Sequence, residues 1–300
     1  MLIIKYRKIF YILTAILVAG SIFSINFFGL NFGIDFTGGS ILEVSYEEEV
    51  PSKEAIENRI TNLAIGGFSL RSAGENGYVL RTQELSEGAR VNVLEALSLN
   101  GEFPVHQERL NTIGPVIGNE LKNKAFAAIA IVMVAIVFFI AFVFRKVSEP
   151  VSSWKYGFIA IIALLHDVLI PIGVFAALGH LFGSEINVLF VMALLAILGY
   201  SVNDTIVVFD RVRENLKLNK QLHRKEDFEL TVGKSLTQTY ARSINTSLTT
   251  VFVLLALFFL GATATQDFAL VLLTGVIAGT YSSIFLATPL LVTWGGKGVK

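Results

Sequence analysis

Hydrophobic positions in this chain gather into six long blocks, with polar positions falling between them. A helix that crosses a bilayer needs about 20 apolar residues. The blocks that reach this length are 9–30, 125–144, 156–182, 186–209, 243–266 and 268–294. Four of them, 9–30, 125–144, 243–266 and 268–294, carry no charge. Lys5, Arg7 and Lys8 precede the first block in the manner of a secretory leader. That block is about twice the usual leader core, and no small-residue cleavage site follows it cleanly, so it reads as a retained helix. The last two blocks are separated only by a few polar residues around 261–267, which predicts a tight helical hairpin.

The pattern changes between the first two blocks. Residues 39–45 are apolar and β-prone, giving a first strand, and Ser52 opens a helix on which Ala55, Ile56, Ile60 and Leu63 recur at helical spacing. Short strands follow at 68–71 and 78–82, joined through Asn76-Gly77, a dipeptide suited to a hairpin turn. A second helix is expected over 88–99 and a last strand over 103–110. The order βαββαβ is the split βαβ, or ferredoxin-like, arrangement. The expected fold is therefore an α-helical membrane protein with six transmembrane helices and one extracytoplasmic ferredoxin-like α+β domain. Its divisions are 1–30 for the first span, 31–120 for the α+β domain and 121–300 for the other five spans.

Composition sharpens this. Charged residues make up 16% of the chain and hydrophobic ones 53%, against roughly 25% charged in soluble domains. Net charge is zero, which gives no case for nucleic acid as a partner. Cysteine is absent, which excludes disulfides, thiolate nucleophiles and thiolate-bound metals. The four histidines, His106, His166, His180 and His223, are scattered without metal-ligand spacing, so no metal and no cofactor is expected. Basic residues mark one side of the membrane. Lys5, Arg7 and Lys8, then Arg145, Lys146 and Lys155, then Arg211 to Lys234, then Lys297 and Lys300 all fall in one set of connections, while the short loops at 179–185 and 261–267 have none. Both termini are expected in the cytoplasm and the α+β domain outside.

Ionisable groups inside a span cost about 2.5 kcal/mol or more, so each one asks for a reason. Asp204 follows Asn203 roughly 27 Å along the fourth span from its outer end, at 1.5 Å per residue. Either the helix ends there and Asp204 sits among headgroups, or Ile206–Phe209 carry the helix on and Asp204 is intramembrane. Arg242 begins the fifth span at a similar depth, as a snorkelling anchor or as the counter-charge of Asp204. His166-Asp167 lies inside the third span with Pro171 four residues on, which frees the Asp167 carbonyl and predicts a kink. This pair reads as an interhelical polar cluster or as part of a proton path. Thr246 and Thr249 in the fifth span line such a path or bond between helices. Gly275 and Gly279 suit close helix packing, and Asp210, Arg211, Arg213 and Glu214 read as a solvated helix end.

Two long motifs carry a resemblance. Gly33-Ile-Asp-Phe-Thr-Gly-Gly39 follows the first span, and Gly199-Tyr-Ser-Val-Asn-Asp-Thr-Ile-Val-Val-Phe-Asp-Arg-Val-Arg-Glu-Asn215 fills the fourth. With His166-Asp167-Val168 and Ser235-Leu-Thr-Gln-Thr-Tyr-Ala-Arg242, they make the chain resemble the SecD/SecF family of protein-export membrane proteins over nearly its whole length. The family signature falls on Gly33, Asp35, Gly38 and Gly39, of which Asp35 reads as a turn residue. The resemblance implies a translocase subunit rather than an enzyme. Its partners would be SecD, the SecYEG channel, YajC and YidC, and the exported unfolded polypeptide. It also implies location in the cell inner membrane and use of the proton-motive force in late translocation. The family's membrane Asp and Arg carry over onto Asp204 and Arg242, with Asn203, His166, Asp167, Thr246 and Thr249 as the candidate proton path. The family resembles exporters built from two similar halves, of which this chain supplies one. A half-size exporter of small hydrophobic molecules and a scaffold with structural charges are the competing readings. The small single outer domain weighs against the exporter.

Overall fold

The structure, a computed structural model, describes residues 2–47, 49–63, 65–144, 151–261 and 263–295. It divides into two compact units, Phe32–Ala125 and the remainder, Met1–Asn31 with Phe126–Lys300.

The first unit holds strands β1 (Gly39–Tyr46), β2 (Ser69–Ala73), β3 (Gly77–Thr82) and β4 (Val105–Ile113) with two helices packed on the sheet. The sheet order is β2-β3-β1-β4, with every neighbour antiparallel, as the split βαβ arrangement requires. Strand alternation sends Leu42, Val44 and Tyr46 of β1 into the core, where they meet Ile56, Ile60 and Leu97. Burying each such side chain is worth about 1.5–3 kcal/mol. The two tyrosines in this core keep their hydroxyls satisfied: Tyr46 donates to the Leu97 carbonyl and Tyr78 to that of Pro51, both at 2.9 Å. Ser52 caps its helix by accepting from the Ala55 amide, as the sequence predicts, and Ser86 caps the second by accepting from Ala89.

The signature glycines have a steric explanation here. Gly38 and Gly39 adopt φ of 75° and 131°. A Cβ on Gly39 would fall 2.6 Å from the Thr82 carbonyl oxygen, and one on Gly38 would fall 2.7 Å from the Pro115 Cα. Only glycine permits this backbone at that spacing. Asp35 lies in the short helical turn Ile34–Thr37 just before them.

Among the described residues the helices long and apolar enough to cross a membrane are α1 (Arg7–Phe28), α4 (Pro115–Val143), α5 (Ser153–Leu181), α6 (Val188–Gln221), α7 (Phe228–Leu260) and the pair α8 (Thr263–Tyr281) and α9 (Thr288–Gly295), which make six candidate spans. Helices α2 and α3 are those of the sheet domain, Lys53–Thr61 and Glu87–Leu97. α5 runs through Pro171 without a break. The C-terminal end of α1 is fixed by Asn31, whose amide donates to the carbonyls of Gly183 and Ser184 while its carbonyl accepts from the Ile186 amide.

Two features depart from the apolar blocks. α6 and α7 continue far beyond them and meet in a short connection at 222–227, so the solvated end expected at Arg211 is a helix interior. Pairs at i,i+3, Arg211–Glu214 at 2.8 Å and Arg213–Asp210 at 3.7 Å, line this extension. The sixth span also changes form at Ser282–Ala287, where it becomes a π-helical turn. Pro289 supplies the cause. It has no amide hydrogen for the carbonyl four residues back and its ring crowds that carbonyl, so the helix widens by one residue per bond just before it. Thr288 uses its side chain instead, donating to the Ser283 carbonyl at 2.7 Å. Of the basic residues expected on one side, Arg145, Lys146, Lys297 and Lys300 lie outside the described residues.

Candidate functional site

The helix that carries Asp204 continues past it to Gln221, so the chain does not leave the helix at Asp204. Asp204 is 7% exposed. Its Oδ2 is buried without a hydrogen bond, and so is the Ser243 hydroxyl of α7. Ser243 and Ser283 lie beside the carboxyl, and the charge of Arg242 acts on it from α7. Arg242 itself is exposed and forms no direct ion pair with Asp204 among the described residues. Asp204 is thus an acid with an open hydrogen-bonding position, surrounded by hydroxyls and within the field of one cation. Leaving such a group unpaired costs about 1–3 kcal/mol, so this state is maintained by the packing around it.

One turn earlier on α6, Ser201 belongs to a second cluster. Asp167 is completely buried, and three groups hydrogen-bond to its carboxyl. His166 Nδ1 lies 2.8 Å from Oδ1. Ser282, the first residue of the π-helical turn, donates to Oδ2 at 2.8 Å, and Ser201 donates to the same oxygen. The His166 ring stacks on Tyr281 with centroids 5.7 Å apart. Tyr281 in turn donates to the Phe10 carbonyl at 3.0 Å and meets Thr14 Oγ1 at 3.1 Å. His166 Nε2 is buried and has no partner. These bonds gather α1, α5, α6 and the sixth span around one carboxylate.

Close helix packing makes this possible. A Cβ at Gly275 would fall 2.1 Å from Ile197 Cδ1, and one at Gly279 would fall 3.0 Å from Ser201 Cβ. The two glycines bring α8 against α6, so that Ser282 and Ser201 reach the same oxygen of Asp167. Ser247 adds a third tie, receiving bonds from Thr280 at 2.6 Å and from Tyr200 at 3.2 Å.

The remaining sequence candidates lie elsewhere. Asn203, Thr246 and Thr249 are exposed, as are Arg242 and Asn245. Positions 242, 245, 246 and 249 recur at the spacing of one helix face, whereas Ser243 and Ser247 point inward. Thr249 donates back to the Thr246 carbonyl at 2.8 Å. Thus the structure sets Ser243 and Ser283 beside Asp204, joins His166 and Asp167 to Ser201 and Ser282, and sets Asn203, Thr246 and Thr249 on an exposed polar face. Ser201, Ser282 and Ser283 were not among the sequence candidates. The signal for the last two was the Ser282-Ser283 pair within an uncharged block, shortly before Pro289. Among the described residues no group of three or more His, Asp or Glu side chains is placed to hold a metal ion.

Six spans, a ferredoxin-like domain inserted after the first, and buried acids at helix crossings define a polytopic membrane protein of transport type. The family described as protein export membrane protein SecD/SecF, C-terminal, matches residues 94–297, and the SecD/SecF GG motif matches residues 23–50. A protein translocase subunit SecF from Thermobaculum terrenum is 43% identical, covering 98% of this chain and 94% of its own. Counterparts from Anaerolinea thermophila and Haemophilus influenzae are 37% and 35% identical over 97% and 94% of this chain. The crystal structure of SecDF, a translocon-associated membrane protein from Thermus thermophilus, superposes with a TM-score of 0.80 at 32% identity. It covers 97% of this chain, which spans 38% of the SecDF chain. SecDF in its super-membrane-facing form gives a TM-score of 0.65. The chain belongs to the SecD/SecF family, among its SecF subunits.

Proposed function

We propose that this chain works with SecD beside the SecYEG channel, with YajC and YidC as further neighbours, and couples the proton-motive force to late steps of polypeptide translocation across the inner membrane. It acts as a transport subunit and not as an enzyme. Both termini face the cytoplasm, and residues 31–120 form the extracytoplasmic domain that meets the exported chain. The observation that carries this reading is Asp204, an acid buried in a span with one carboxyl oxygen left without a hydrogen bond.

The chemistry follows from that placement. A nearby cation favours the ionised carboxyl and apolar surroundings favour the protonated one. A small rotation of α7 against α6 changes the distance from Arg242 to Asp204 and so shifts the balance between binding and releasing a proton. One charge crossing 100 mV yields about 2.3 kcal/mol, enough to bias a two-state movement roughly 50-fold.

Pairing with SecD has its own support. Arg242, Asn245, Thr246, Thr249 and Asn203 are exposed on two adjacent spans. A polar strip facing lipid is costly, and a second membrane half covering it removes that cost. The basic residues Arg211, Arg213, Lys217, Lys220, Arg224, Lys225 and Lys234, gathered near the α6–α7 connection, support the orientation.

Pulse-chase of an exported protein in cells relying on Asp204→Asn or Arg242→Met tests the reading. Both variants should reach wild-type levels in the membrane and export slowly. Wild-type export with either variant, or failure of both to accumulate in the membrane, overturns the assignment of a coupling pair.

A further inference from the structure

The corner where α6 meets α7 is built more firmly than a surface connection needs. Asn219 of α6 donates to Glu226 Oε2 and to Thr231 Oγ1, both at 3.1 Å. Thr231, completely buried, donates to Glu226 at 3.2 Å. One turn earlier, Asn215 donates to Ser235 at 2.8 Å and to Gln238 at 3.0 Å. These bonds tie the last turns of α6 to the first turns of α7 and fix the connection 222–227 between them.

The corner presents cations and leucines together. Lys217, Leu218, Gln221 and Leu222 recur at i,i+4 on the end of α6, and all four are exposed, Leu218 by 46% and Leu222 by 51%. Arg224 and Lys225 follow in the connection and are exposed as well. No acid occurs from Asn215 to Lys225. Farther from the corner, Arg211, Arg213 and Lys234 each pair with an acid, Glu214, Asp210 and Glu226. Lys217, Arg224 and Lys225 form no ion pair among the described residues. A charge bias that only orients the chain needs no such split between paired and open cations, nor leucines set among the open ones.

Contacts fix the depth of the corner. Glu229 of α7 pairs with Arg7, the first residue of α1, at 3.0 Å. The Phe228 ring occupies the space that a Cβ on Gly295 would need, and Gly295 ends the sixth span. Both tryptophans of the chain stand beside these span ends. Trp294 precedes Gly295, and its carbonyl accepts at 2.9 Å from Lys155, the neighbour of Trp154 at the start of α5. Tryptophan is enriched where membrane meets water, so the corner reaches the headgroups. At that depth leucines enter the edge of the acyl region while lysine and arginine meet phosphate, as in helices that lie at an interface.

We propose that the α6–α7 corner is a binding surface for the anionic phospholipids of the leaflet it faces, with Lys217, Arg224 and Lys225 on the headgroup phosphates and Leu218 and Leu222 in the acyl boundary. The inference uses the spans and their ends but not proton exchange at Asp204, so it stands or falls apart from the coupling reading.

The chain has no cysteine, so Leu222→Cys in the full chain carries a single nitroxide. Power saturation in lipid vesicles compares its collisions with oxygen, which concentrates in the bilayer, and with a water-soluble nickel chelate. In vesicles containing phosphatidylglycerol, oxygen should be favoured. A nitroxide open to the chelate there overturns the proposal and leaves the corner as a surface for a soluble partner. Headgroup preference is read by native mass spectrometry of the unlabelled chain, titrated with phosphatidylglycerol or phosphatidylcholine. Lys217→Gln, Arg224→Gln and Lys225→Gln should each weaken the tightest phosphatidylglycerol binding about fivefold, the equivalent of about 1 kcal/mol for each cation near the surface, and leave phosphatidylcholine binding unchanged. Molar salt should weaken phosphatidylglycerol binding to the unaltered chain, because it screens these charges within about 3 Å, which tests the cations even if a variant folds poorly. Phosphatidylglycerol binding indifferent to salt, or equal in folded variants and wild type, overturns the assignment of the cations.

Discussion

Ser282 in the sixth span donates a 2.8 Å hydrogen bond to Asp167 in the third. The carboxylate it serves is completely buried and shares that oxygen with Ser201 of the fourth span. Removing one donor leaves a buried acceptor short of a partner, at about 1–3 kcal/mol. Ser282→Ala is therefore expected to lower the melting temperature of the purified protein, and Ser201→Ala to do the same. Combined, they should cost more than their sum, because the first loss leaves the second bond to carry Oδ2 alone. Unchanged melting in both single variants would contradict the bonding described.

The approach of the fourth and sixth spans depends on Gly275. Gly275→Ala places a Cβ 2.1 Å from Ile197 Cδ1 and should destabilise the protein, by about 1–3 kcal/mol as overpacking does. Ile197→Ala alone leaves a cavity and should also destabilise. The double variant should be more stable than the sum of the two losses predicts, which a double-mutant cycle of melting temperatures measures. Strict additivity would mean that the two residues do not meet.

In the sheet domain, Gly39→Ala meets two obstacles, a φ of 131° and the Thr82 carbonyl oxygen 2.6 Å from the new Cβ. Protease resistance of the domain should fall sharply, by a loss of more than ~1 kcal/mol. Gly67→Ala has open space around its Cβ and serves as the control. Equal resistance of the two variants would contradict the reading of the signature glycines as steric.

The connection between α6 and α7 should respond to acid. The Lys234 ammonium first, then the Asn219 amide, hold the Glu226 carboxyl below its ordinary 4.5. A carboxyl depressed on folding stabilises fully above that ordinary value, and the contribution fades as pH falls through the lower folded value. Hydrogen exchange in 222–227 should therefore quicken as pH drops below about 4.5, once corrected for intrinsic rates. Glu226→Gln should be less protected at neutral pH and lack this acid-dependent step. The same step in both proteins would assign it to another group.

Much of this architecture was legible in the residues, for reasons that also explain the gaps. The order βαββαβ followed from the apolar, β-prone run at 39–45, the helical spacing after Ser52 and the turn dipeptide Asn76-Gly77, because each element leaves its own local mark on the sequence. Asp204 and His166-Asp167 stood out because charge in an apolar run is rare. The extension of α6 to Gln221 did not, since a solvated helix held by pairs such as Arg211–Glu214 has no apolar face to betray it. Nor did the division of hydroxyls on the fifth span. Ser243 and Ser247 point inward and Thr246 and Thr249 outward, a matter of helix rotation that residue type does not record. The π-helical turn depends on Pro289 meeting a crowded crossing, which involves three helices at once.

The most direct measurement is the completion of translocation in inverted membrane vesicles, with a translocating chain stalled after ATP-driven insertion and then released with or without an imposed proton gradient. In vesicles carrying the wild-type chain the gradient should speed completion. With Asp204→Asn at equal abundance, ATP-driven initiation should persist and the benefit of the gradient should vanish. If the gradient accelerates completion in Asp204→Asn as much as in wild type, Asp204 is not the coupling acid and the central claim falls.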